Sequence, residues 1–205
     1  GVGFLGTVTV ENGGTFTLEK ASRVLIASGA VVESGGRFGG DGVLIDKAHY
    51  KMTASGQQAV EFDLFDDMIS AAGITPSWTV TAKTGATLFT SGAGLSMKKY
   101  DLTLNSGSTL EIGVNKDGNS VATLTAKSVT ITGPIGVTLS DDLKTAYQDK
   151  KLDLATDSDA SMFLSSESAV ASENLVIDAD ISTTYSLVFS DDKTKGYLRA
   201  DKLDG

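Results

Sequence analysis

A short word recurs along this chain: a small polar residue, a glycine, two further residues, then a large apolar one. It stands as Asn12-Gly13-Gly14-Thr15-Phe16 and again as Ser34-Gly35-Gly36-Arg37-Phe38. It returns as Thr84-Gly85-Ala86-Thr87-Leu88 and as Ser106-Gly107-Ser108-Thr109-Leu110. Within each pair the offset is 22 residues. A fixed offset of that size suits one coil of a parallel β-helix, because each coil then sets a turn glycine and a core side chain over their equivalents below. A meander of hairpins produces the same word, and a β-sandwich built from such hairpins is the alternative fold.

Residues 101–139 carry the strand signal most clearly. Leu102 and Leu104 alternate with Thr103, Leu110 and Ile112 flank Glu111, and Val129, Ile131, Val137 and Leu139 continue the beat. Period-two alternation buries one set of side chains and leaves the Thr, Ser and Lys set in water. Breaks fall at Asn105-Ser106-Gly107-Ser108, Asn115-Lys116-Asp117-Gly118-Asn119 and Thr132-Gly133-Pro134, all turn compositions.

Two stretches read as helices. Val60, Leu64, Phe65, Met68, Ile69 and Ala72 fall at helical spacing, and Gly73 and Pro76 follow, so a helical insertion is expected near 59–72, carrying Asp63, Asp66 and Asp67. Ser140 ahead of Asp141 and Asp142 predicts a capped helix ending near Gln148. Beyond about residue 140 the rhythm loosens, with strands expected at 151–154, 161–164, 175–177, 185–189 and 197–200. No Pro-rich or Ser-rich linker divides the chain, so 1–205 reads as one domain.

Composition narrows the partners. A net charge of −9 disfavours nucleic acid and anionic membrane, both of which attract basic surfaces. The absence of cysteine removes disulfides, thiolate metal sites and cysteine nucleophiles. No apolar run approaches the roughly 18 residues of a membrane helix, so no insertion by this chain is expected. The opening Gly1-Val2-Gly3-Phe4 suggests a processed or excised piece.

Against this background Gly107-Ser108-Thr109-Leu110-Glu111-Ile112-Gly113, Ala122-Thr123-Leu124-Thr125-Ala126 and Val129-Thr130-Ile131-Thr132-Gly133 resemble coils of bacterial autotransporter passenger regions. The distal Thr184-Tyr185-Ser186-Leu187-Val188-Phe189 and Gly196-Tyr197-Leu198-Arg199 are similar to the end of such passengers. The resemblance implies a right-handed parallel β-helix at a bacterial cell surface, used in adhesion, aggregation or as a stalk. The family's outer-membrane barrel has no counterpart here.

Candidates for chemistry are few. A lone His49 cannot build a multi-histidine metal site, and no G-x-S-x-G context supports a triad. On a strand Asp178 and Asp180 would share a face and converge on a cation, with Asp117 in a loop partly like a calcium loop; Ca²⁺ is the one cofactor they suggest, and turn or solvated-face aspartates are the commoner account of such pairs. That loop lacks a first-position Asp and has Leu124 where a bidentate Glu is needed, so a hairpin-type Asp-Gly turn fits better. Asp157 with Asp159, and Asp191 with Asp192, are further acidic pairs. Gly39-Gly40-Asp41-Gly42 has no following helix pattern and so no phosphate-binding reading. Trp78, Phe89 and Tyr100 are candidates for a sugar platform, with scattered core aromatics as the alternative.

The expectation is therefore an all-β, right-handed solenoid of about nine coils, near 45 Å long at strand spacing. Its expected role is that of a non-enzymatic extracellular surface protein, binding a host or cell-surface protein or glycan, or copies of itself. With no clear cap at Gly1 or Gly205, self-association is expected through the ends or sides. The alternative is a β-helix carbohydrate-active enzyme or a phage tailspike-like polysaccharide-binding fragment.

Overall fold

The computed structural model describes residues 2–47, 49–52 and 60–200, with the backbone alone at 49–52 and 60–64. In chain order the strands are β1 (Val2–Phe4), β2 (Val8–Val10), β3 (Thr15–Ile26), β4 (Ala30–Val32), β5 (Arg37–Ile45), β6 (His49–Met52) and β7 (Val60–Asp63). Helix α1 (Leu64–Ala71) precedes β8 (Thr79–Ala82), β9 (Thr87–Leu104), β10 (Thr109–Ile112), β11 (Leu124–Ile131) and β12 (Ile135–Leu139). Helix α2 (Asp141–Gln148) leads to β13 (Met162–Ser166), β14 (Leu175–Ile177), β15 (Tyr185–Phe189) and β16 (Lys195–Ala200). Fourteen strands form one mixed sheet, and β6 pairs β7 separately.

The long pairings are parallel, where a hairpin meander would need antiparallel ones. They form three ladders. The first joins β1, the end of β3, the end of β5, the middle of β9, the start of β11 and β13. A second joins β2, β4, β8, the end of β9 and the end of β11. The third joins the starts of β3, β5 and β9 to β10, β12 and β14. Val2 faces Val24, Val8 faces Ala30, Thr15 faces Arg37, Thr79 faces Asp101 and Thr87 faces Thr109, each an offset of 22 residues. The recurring glycine word therefore does mark equivalent positions in successive passes.

Its turns stack. The Gly13 N–H donates to Gly35 O, Gly35 to Gly85 O, Gly85 to Gly107 O and Gly107 to Pro134 O, a continuous backbone file along one corner. Inside the ladders Phe38, Leu88, Leu102, Leu104, Leu110, Leu124 and Val137 are fully or almost fully buried in one core. Phe16 stacks on Phe38 at 5.1 Å between ring centres. A smaller cluster of Leu25, Ala27, Ile45, Phe65 and Ile69 lies outside the first ladder, where α1 covers it.

Several expectations change. The helix near 59–72 starts only at Leu64, because Val60–Asp63 pairs with His49–Met52; Asp63 is therefore on a strand, and residue 59 lies outside the described residues. Only Asp66 and Asp67 lie on α1. Residues 151–154 form no strand, although Leu152 and Leu154 are buried. The third ladder holds six strands rather than nine among the described residues, since 46–47, 49–52, 60–78, 113–123 and 140–161 lie outside the ladders. Six rungs at ~4.8 Å span about 24 Å.

The two ends differ at the first ladder, while at the far end β14 and the end of β11 also have a strand neighbour on one side only among the described residues, and Val176 is 51% exposed. At one end β1 and β2 have a strand neighbour on one side only among the described residues, and Val2 and Phe4 are 54% and 37% exposed. At the other, β16 lies antiparallel on β13 and β15 antiparallel on β16, covering that edge of the first ladder. Gly1 and Gly205, where the absence of a cap was expected, lie outside the described residues.

Candidate functional site

The chain turns from the third ladder to the first at one corner, and the length of that turn varies from pass to pass. Residues 19–21 make it between Leu18 and Ser22, while Asp41 alone makes it between Gly40 and Gly42. Residues 91–94 make it next, between Thr90 and Leu95. In the following pass 113–123 fill the same corner, with Val114 bridged to Val121 as a small hairpin. A one-residue turn between longer ones leaves a hollow, so the recess is a consequence of unequal corner lengths.

The single-residue turn is possible because glycines flank it. Gly40 has φ +119°, and a Cβ there would overlap the Leu18 carbonyl. A Cβ at Gly42 would sit 2.8 Å from Ser22 O. Asp41 is then fixed by its next neighbour: its Oδ1 accepts the Ala93 N–H at 3.2 Å, while Oδ2 lies against Gly92.

The recess has a volume of about 620 Å³. Lys20 stands on one wall and Lys116 with Asp117 on the other; Ser96 and Thr123 lie between them. Lys20, Lys116 and Asp117 are exposed and make no hydrogen bond or ion pair with another described residue. The far wall is rigid. Asn115 Oδ1 accepts the Asn119 and Ser120 N–H groups at 2.9 and 3.2 Å, and Asn115 Nδ2 donates to Asn119 Oδ1 at 2.7 Å. Gly118, at φ +75°, completes the turn, in keeping with the hairpin-type reading of this loop. A second hollow of about 580 Å³ lies behind it, towards Asp142, Thr145 and Asp149.

The other candidate residues are dispersed. Asp178 and Asp180 do not share a strand face: β14 ends at Ile177, and Asp178 Oδ1 accepts the Asp180 N–H at 3.2 Å in a turn. A carboxylate satisfied by the next-but-one amide favours the turn over the extended strand that convergence on a cation required. Asp117, on the recess wall, is on a different segment from both. Asp157 pairs with Arg199 at 2.9 Å, and Asp159 begins a short 3₁₀ turn. Among the described residues no three His, Cys, Asp or Glu side chains come together as a metal group. His49 lies on β6, its side chain outside the described part.

Asp192 closes the β15–β16 turn. Its carboxylate accepts from the Thr194 hydroxyl, the Ser190 hydroxyl and the Thr194 N–H, and these bonds hold its pKa down at about 2. The candidate aromatic platform is not formed, and these aromatics serve the packing, as the commoner reading has it. Tyr100 is fully buried with Trp78 edge-on at 5.7 Å, and Phe89 lies under the Arg37 guanidinium at 4.9 Å. Burial pushes the Tyr100 phenol well above its usual range. Its hydroxyl accepts from Ile26 N–H at 2.9 Å and donates to Ile45 O at 2.8 Å, replacing a strand neighbour where β5 ends.

The recess is absent from the sequence-based candidate set except for Asp117. The signal for it was the Gly39-Gly40-Asp41-Gly42 run, which matters through turn length and not as a phosphate loop. In comparisons with known proteins the chain matches no family model, no curated protein and no solved structure.

Proposed function

We propose that the chain is a right-handed parallel β-helix acting as a non-enzymatic extracellular surface protein of bacterial type, an adhesive or stalk-forming subunit that joins copies of itself end to end. The observation that supports this reading is that both ends leave ladder strands with one neighbour among the described residues, β1 and β2 at one end and β14 with the end of β11 at the other, the first ladder alone being covered. Edge strands present unpaired N–H and C=O groups, and proteins usually blunt them with charge, proline or a covering element. The hairpin β15–β16 is such a cover, and it carries Asp191, Asp192, Lys193, Lys195 and Arg199. The β1 and β2 edges have no charged residue and surround the exposed Val2 and Phe4, whose partners Val24 and Ile26 are core residues. A second copy laid against this end would continue both the ladders and the core.

Light scattering on size-exclusion fractions, with negative-stain images of the same fractions, tests the reading. Mass should rise with concentration, and Val2→Lys with Phe4→Lys should return it to that of one chain. A strict monomer at every concentration would reject the assembly.

A further inference from the structure

We propose that the recess between Lys20 and Lys116 binds a neutral oligosaccharide through its hydroxyl groups. The inference deepens the adhesive reading by giving the partner's chemistry, and rests on it only for where that partner is met. Two features select the ligand class. The volume of about 620 Å³ falls in the ordinary range of small-ligand sites. The lining offers unengaged donors on both walls, in Lys20 and Lys116, and acceptors in the Asp41 and Asp117 carboxylates. A sugar hydroxyl both donates and accepts, so it answers such a mixed lining, whereas an apolar ligand would leave these groups desolvated and unpaired.

Charge decides between sugars. Two lysines balance two aspartates in the lining, while the chain as a whole carries −9, so a polyanionic glycan gains nothing locally and is repelled at longer range. No aromatic ring lines the recess, so recognition is by edge hydroxyls and not by stacking on a sugar face. The wall is set before the ligand arrives, because Asn115 locks the 115–120 turn and Ala93 N–H holds Asp41. Preformed donors and acceptors lose little freedom on binding.

Calorimetry and amide NMR titrations of the monomeric fraction would use manno-, galacto- and maltotetraose as neutral probes, with an alginate tetrasaccharide as the anionic comparator. At least one neutral probe should bind and shift amides of 41–43, 92–96 and 115–120. Ser96→Trp, which fills the recess, should abolish binding, and Lys20→Ser with Lys116→Ser should weaken it by about tenfold, as for a lost charged hydrogen bond. The exposed lysine pair keeps the test usable if the tryptophan variant fails to fold. No neutral binding at millimolar sugar, binding unchanged in the variants, or preference for alginate would each overturn the assignment. Because the readout is binding to single chains, its failure is distinguishable from failure of end-to-end association.

Discussion

A methyl group added at Gly85 would press on the Ser34 hydroxyl of the stacked turn, and the φ of +85° there already lies in the left-handed region. Gly85→Ala should therefore cost about 1 kcal/mol or more, read as a fall in the urea midpoint. Tyr100→Phe tests a different kind of constraint. The ring would still fill its place, but the Ile26 N–H and Ile45 C=O would lose their shared partner in the core. Leaving buried backbone groups unpaired costs about 1–3 kcal/mol, so the variant should unfold at lower denaturant despite losing only an oxygen. The first of these residues was legible in the sequence, through its recurrent word. The second was not, since nothing in the local pattern around Tyr100 says that β5 will stop at Ile45.

Helix α2 shows how far an element can be read from its ends. Ser140 is its N-cap, with Oγ accepting the Leu143 N–H at 3.1 Å, and Asp141 and Asp142 occupy the first turn as its dipole favours. Ser140→Ala should lower stability by about 1 kcal/mol, measured as a drop in Tm. Helix α1 was readable only in part: the apolar spacing from Val60 is helical, but pairing with His49–Met52 takes 60–63 into a strand. Local propensity is a weak prior, and a cross-strand partner overrides it. The β15–β16 hairpin carries a pH dependence. The folded Asp192 pKa of about 2 lies below the ordinary aspartate value of 3.8, so ionisation favours the folded turn. That contribution is present above pH 4 and is lost as pH falls from about 4 to 2; the protection of the Thr194 and Lys195 amides, measured as exchange relative to the intrinsic rate at each pH, should fall over this window, and Asp192→Ala should remove the pH dependence.

At the scale of the molecule, the core is a column of stacked aliphatic side chains. Leu102 sits in it fully buried between Val80 and Val129 of the neighbouring strands. Leu102→Ala should cost about 2–5 kcal/mol, with the denaturant midpoint as the measure. Leu102 has a ladder partner on each side, so the loss should be felt in the neighbouring strands and not at one strand alone. The alternation and the 22-residue offset made the β content, the turn positions and several registers legible, because both depend on local chemistry repeated at fixed intervals. Rung number, the antiparallel cover at β16 and the recess at Asp41 were decided by the tertiary structure. They depend on which residues leave the ladders and on how corners of unequal length stack against one another, and those relations exist only once residues 18, 40, 90 and 112 have been brought to one corner by folding.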